Sequence, residues 1–156
     1  YCTVRVPPEA FTAALLHDIG KLVMARFLSS EVLQILQQAR LEGHLTTLEA
    51  ESQVLGVHHA ELGGIIAQHW QIPESMTKGI VFHHNPEDGG EVICDVVAMA
   101  NIAARKMEAG MANKPLDLAP DAGLMQRLGM TREGFEKLCV DAIQRFEQVR
   151  TRYNVK

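Results

Sequence analysis

The chain has 156 residues, enough for one domain that buries roughly 70% of the surface its unfolded form exposes. Its 47% apolar and 22% charged residues are those of a globular protein and exclude a disordered one. A net charge of −4 and an aromatic content of 5% leave neither the basic footprint nor the stacking surface that nucleic-acid binding needs.

Pro7-Pro8 opens a helix that runs through Leu16, and a second apolar stretch, Leu22 to Leu28, follows a break at Gly20. Val32, Leu33, Ile35, Leu36 and Ala39 recur at helical spacing over 31–41, and Gly43 ends that helix. Thr46-Thr47-Leu48-Glu49 has the form of a capping box and starts a helix through Leu55. After Gly56, His59 stands in the first turn of a helix reaching Trp70, and Pro73 begins another that carries Ile80 to His83-His84. Asn85-Pro86 stops it, because a residue before proline avoids the helical region. Glu87 to Gly90 reads as a polar loop, followed by a long helix from Val92 to Met107 whose Ala98, Ala100, Ala103 and Ala104 suit close packing. A loop over 110–120, a short helix from Ala122 to Leu128 and a Thr131-capped helix to Tyr153 complete the reading. No strand-like alternation persists, so the expected fold is an all-α bundle, a single domain over 1–156.

Cys2, Cys94 and Cys139 are odd in number and lack CxxC spacing, which fits a reducing cytoplasm better than a disulfide framework. No apolar run approaches the roughly 20 residues of a membrane span. A soluble, cytoplasmic protein without membrane or nucleic-acid partners is therefore expected. The start, Tyr1-Cys2-Thr3-Val4-Arg5-Val6, reads like the middle of a chain, and a fragment with helices upstream is expected.

The chemistry concentrates in the histidines. His17-Asp18 closes an apolar helical run, and His59 and His83-His84 each sit near a helix end beside Gly or Pro, where side chains reach into a shared cavity. Imidazole and carboxylate ligands suit iron, manganese, nickel or zinc, and no cysteine lies close enough in sequence for a closed thiolate site. Spacing alone leaves metal ligation and a structural role both open. His44 and His69 read as surface or packing residues. His58 lies about 100° around the helix from His59, so one of the two faces water; His59 is taken as the inward one, with Gly63 and Gly64 admitting a neighbouring helix. Lys21 is either a solvated helix-end cation or an anion contact near the metal.

His17-Asp18-Ile19-Gly20-Lys21 resembles the signature of the HD superfamily of helical metal-dependent phosphohydrolases. The segment Leu55 to Gly63, with Trp70 to Pro73, Ile80 to Pro86 and Ala98 to Ala103, resembles more narrowly the HDOD domain, over about 8–107. That resemblance implies a bacterial regulatory domain, often fused to sensor or output domains and commonly without hydrolase activity. By comparison with the related HD-GYP phosphodiesterases it implicates His17, Asp18, His59, His83 and His84 as metal ligands; in the hydrolase reading Lys21 is the catalytic-site residue that helps bind phosphate. It also places Asn101 where the last ligand Asp is expected, and an earlier ligand upstream of Tyr1; no Gly-Tyr-Pro follows His84. The resemblance thus favours a non-catalytic signalling module, with a nucleotide or cyclic-dinucleotide phosphohydrolase as the competing reading. The terminal-helix stripe Phe135, Leu138, Ala142, Ile143, Phe146 and Val149 is read as an inner face, the alternative being a homodimer contact.

Overall fold

A computed structural model of the chain describes residues 1–111 and 118–153. Its helices are α1 (Ala10–Leu16), α2 (Ile19–Phe27), α3 (Ser30–Glu42), α4 (Thr47–Leu55), α5 (His59–His69), α6 (Glu74–Val81), α7 (Pro86–Gly89), α8 (Val92–Met111), α9 (Ala122–Leu128) and α10 (Arg132–Tyr153). No strand occurs among the described residues, as the periodicity predicts.

Side-chain caps set several boundaries. Ser29 accepts a hydrogen bond from the Val32 amide at 3.4 Å, Asp121 from Leu124 at 2.9 Å and Thr131 from Gly134 at 3.0 Å. The predicted capping box forms in full: Glu49 N–H donates to the Thr46 hydroxyl, and Thr46 N–H donates to the Glu49 carboxylate.

Four local expectations differ from what forms. Gly20 does not break the chain; α2 begins at Ile19, and the junction with α1 is only His17-Asp18. α6 ends at Val81, so His83 and His84 lie beyond it rather than on it. The expected polar loop after Asn85 is a one-turn helix, because Pro86 occupies its first turn, where a missing N–H costs nothing. α8 continues to Met111, past the expected end at Met107, since Gly110 alone costs only about 1 kcal/mol. The loop expected over 110–120 lies largely outside the described residues.

α8 is the axis of packing. Its Ile93, Cys94 and Val97 meet Ala10 and Ala13 of α1 and Met76 of α6 in one apolar cluster. Its Ala98, Met99 and Ala103 meet Leu124, Leu128, Met130, Phe135 and Cys139 in a second. Of the four alanines, Ala98 and Ala103 are buried while Ala100 and Ala104 are exposed, as the 100° step between residues requires. The α10 stripe splits similarly: Phe135 is buried and Leu138, Ala142 and Ile143 are half-buried, but Phe146 and Val149 are exposed. Among the described residues no helix is long and apolar enough to cross a membrane.

Two glycines let helices approach closely. A Cβ at Gly64 would lie 2.3 Å from Cγ2 of Val81, bringing α5 against α6. At Gly20 a Cβ would lie 2.0 Å from the His59 carbonyl oxygen, so only glycine allows α2 to rest against the start of α5. These contacts determine where His59 stands relative to Asp18.

An ion pair fastens α9 to α8. Buried Asp95 accepts from Arg127 Nε at 2.9 Å and Nη2 at 2.8 Å. Because Arg127 is 36% exposed, solvent screens part of the attraction. Asp95→Ala is expected to cost about 1 kcal/mol. Urea unfolding measures it, and an unchanged midpoint would show that the pair is energetically silent.

Candidate metal centre

Each expected ligand stands at a helix end. His17 and Asp18 form the corner between α1 and α2, His59 is the first residue of α5, and His83 and His84 follow the end of α6. Contacts of α1 with α6, α2 with α5 and α5 with α6 bring these ends together.

Three imidazoles are locked in one orientation. His17 Nδ1–H donates to the Ala14 carbonyl at 2.7 Å, and His83 Nδ1–H donates to the Ile80 carbonyl at 2.7 Å. His59 Nδ1–H donates to Glu51 Oε2 at 2.6 Å, and the same oxygen accepts the His59 backbone N–H at 2.8 Å. Each partner can only accept, so the proton resides on Nδ1 and the Nε2 lone pair points inward. Holding a ligating histidine through its other nitrogen is the usual support of a metal site.

The inward atoms converge. Asp18 Oδ1 is 3.4 Å from His59 Nε2 and 3.7 Å from His83 Nε2, Asp18 Oδ2 is 3.5 Å from His17 Nε2, and His59 Nε2 is 3.1 Å from His84 Nε2. Donors bound at about 2.1 Å around one cation stand about 3.0 to 3.4 Å apart; these pairs are near that range, and the donor atoms of each set lie within 4.8 Å of one another, so a bound ion would draw them together. His17 Nε2, Asp18 Oδ1 and His83 Nε2 are buried without a hydrogen-bond partner among the described residues. Such groups are costly unless something satisfies them, and a divalent cation satisfies all three together. Two overlapping donor sets arise, His17-Asp18-His83 and His59-His83-His84, with His83 common to both. The residues therefore fit a metal, and all five expected ligands belong to the cluster.

Electrostatics keep His83, His84 and Asp18 in ligating form. Burial pushes the His83 pKa down to about 4, against the Ile80 carbonyl, which favours protonation. Burial, with the neighbouring His83, His59 and Lys21, takes His84 to about 3. Burial works to raise the Asp18 pKa, but the Lys21 hydrogen bond, with His17, the Lys21 charge and His59 beside it, outweighs burial and holds the carboxyl below its usual range. Glu51 is likewise lowered despite burial, because His59 donates two hydrogen bonds to it.

In the metal-free protein the depressed histidine pKa values carry a definite sign. Above pH 6.5 both states are neutral; as pH falls toward 4 the unfolded chain takes protons that folded His83 refuses, and stability is lost. Between pH 7 and 5 His83 alone is expected to cost roughly 2 kcal/mol. Denaturant titration of chelator-treated protein across that range checks this, and a flat profile contradicts it.

The remaining residues sort clearly. Lys21 Nζ pairs with Asp18 Oδ2 at 2.8 Å and also lines the adjoining cavity. His58 does not simply face water. Its Nδ1 accepts from the Glu61 amide at 3.3 Å while Glu61 accepts the His58 amide at 3.1 Å, a second capping box. His44 and His69 are exposed, as expected. Asn101, on α8, lies in the wall of the cavity that His59 and His84 also line.

Sequence reading missed Glu51, 6% exposed and aimed at His59. Its signal was available: Leu48, Glu51 and Leu55 fall at i, i+3 and i+7, so an acid occupies the inner stripe of α4. Arg40 and Arg105 were also missed; both reach the same cavity from distant parts of the chain.

A helical bundle whose His-Asp corner meets later histidines in one cluster is a domain of the HD superfamily. The HDOD domain profile matches residues 2–86, more than half of the chain, and the chain belongs to that family. A Treponema pallidum (strain Nichols) protein named "Uncharacterized protein" is 31% identical over 104 residues, covering 64% of this chain and 20% of that protein. The chain thus spans about a fifth of the length of that curated relative. A solved structure from Shewanella amazonensis SB2B, named "Putative phosphohydrolase", is 25% identical with a TM-score of 0.63, over 85% of this chain and 49% of that one. A Geobacter sulfurreducens HDOD domain protein with unknown function is also 25% identical, with a TM-score of 0.64 over 91% of this chain and 51% of that one.

Proposed function

We propose that this chain is a regulatory, non-catalytic HDOD module that holds a divalent metal in its His/Asp cluster. In this reading it passes the occupancy of that cluster to a signalling partner or a fused sensor or output domain. The observation that carries it is the balance of charge around the donors. Asp18 is the one carboxylate in the donor sets, Glu51 is turned to His59 Nδ1, and Asn101 stands as a neutral amide in the cavity wall. A bound divalent ion would supply Lewis acidity and a lowered pKa for coordinated water. Hydrolysis by two ions a few ångströms apart calls for bridging carboxylate charge, which this set scarcely provides. One ion among mainly neutral imidazoles suits the donors better, with iron, manganese, nickel and zinc all compatible.

Elemental analysis of protein purified without chelator, combined with a phosphodiester and nucleotide turnover assay, tests the reading. About one metal per chain is expected, lost in His17→Ala, with no turnover above background. Turnover that His17→Ala abolishes would reject the non-catalytic role and favour a metal-dependent phosphohydrolase acting on a nucleotide or cyclic dinucleotide. The convergence of all five donors and the name of the Shewanella neighbour support that second reading. There His17, Asp18, His59, His83 and His84 hold the metal and Lys21 contacts phosphate.

A further inference from the structure

The cavity beside the donor cluster holds more positive charge than a metal ligand set requires. It encloses about 520 Å³, and its wall includes Lys21, Arg40, His84, Asn85, Asn101 and Arg105 but no Asp or Glu. Lys21 is already paired with Asp18, whereas Arg40 and Arg105 have no carboxylate within 4.0 Å among the described residues. Asn101 is 9% exposed, faces this cavity and makes no side-chain hydrogen bond among the described residues. Its amide is open to the cavity, and an Asp in its place would repel an anion that the amide can bind.

Position adds a second consequence. Arg40 lies on α3 and Arg105 on α8. α3 has no buried residue and packs chiefly on α4, and a further cavity of about 390 Å³ separates part of α3 from α4. The α3–α4 pair meets the cluster through the Glu51–His59 contact. An anion held by both guanidinium groups would therefore fasten a loosely seated helix to the central one.

We infer that Arg40, Arg105 and Asn101 form an anion subsite that binds a small phosphorylated molecule beside the metal centre and ties α3 to α8. Two planar guanidinium forks suit the several oxygens of a phosphate, and the volume admits an organic group beyond it. The inference rests on the regulatory reading above and adds a second ligand beside the cluster; the arginine subsite itself does not require the metal.

Calorimetric titration of the whole chain with AMP and with inorganic phosphate, at low ionic strength, tests it. Binding of AMP is expected, weakened by roughly 10-fold or more in the Arg40→Ala/Arg105→Ala double variant. Metal content and melting temperature should stay at wild-type values there, and the Arg40→Lys/Arg105→Lys pair should recover part of the affinity. Amide hydrogen exchange over α3 should slow when AMP is added to the wild type. Equal affinity in wild type and the alanine pair overturns the subsite, as does the absence of binding of either probe at millimolar concentration. Arginine-dependent binding with unchanged exchange in α3 overturns the tie between helices. Protein purified without chelator that holds no metal yet binds AMP through the arginines keeps the subsite while removing the metal reading; protein that holds metal but whose AMP binding ignores the arginines does the reverse.

Discussion

Glu51→Gln is expected to lower the affinity for a divalent metal roughly 10- to 100-fold while leaving the fold nearly as stable. The glutamine carbonyl can still accept the two hydrogen bonds that Glu51 Oε2 takes from His59, so the ring stays oriented. What disappears is the negative charge that makes the imidazole a stronger base toward a cation. Glu51→Ala goes further and strands a buried N–H and Nδ1–H, which adds about 1 to 3 kcal/mol of lost stability. Competition between protein and a chelator of known affinity measures the first effect, and thermal melting the second. Wild-type affinity in Glu51→Gln would mean that His59 is a core histidine with a satisfied Nδ1 and not a ligand.

Gly20→Ala is expected to destabilise the protein by about 3 kcal/mol, near the top of the usual range for overpacking. Helix propensity favours alanine over glycine by at most about 1 kcal/mol, and by less at Gly20 in the first turn of α2, so the two effects oppose each other. The contact decides which wins. The added methyl would meet the His59 carbonyl oxygen at 2.0 Å and its carbon at 2.8 Å, and backbone cannot rotate away as a side chain can. Relief requires α5 to withdraw from α2, which carries His59 Nε2 away from its 3.4 Å approach to Asp18. A fall in melting temperature of roughly 10 °C should therefore accompany reduced metal content. A variant as stable as the wild type, or more so, would refute this account of the α2–α5 contact.

Much of the helical pattern was legible because periodicity and capping act over three or four residues. Thr46 to Glu49, Asp121 and Thr131 announce their helices locally. Gly20 misled for a physical reason: a glycine inside a helix looks like a break unless its neighbour across space is known. The same holds for His58, whose capping role depends on the backbone geometry of Glu61.

The sequence by itself determined an all-α chain, its His-Asp corner and the later histidines, since residue identity and short-range spacing carry that information. Only the tertiary structure decided that Asp18 and four imidazoles meet in one cluster, that Glu51 holds His59, and that Arg40 and Arg105 share a cavity beside it. Those relations join residues tens of positions apart, and helix packing rather than local preference brings them within a few ångströms.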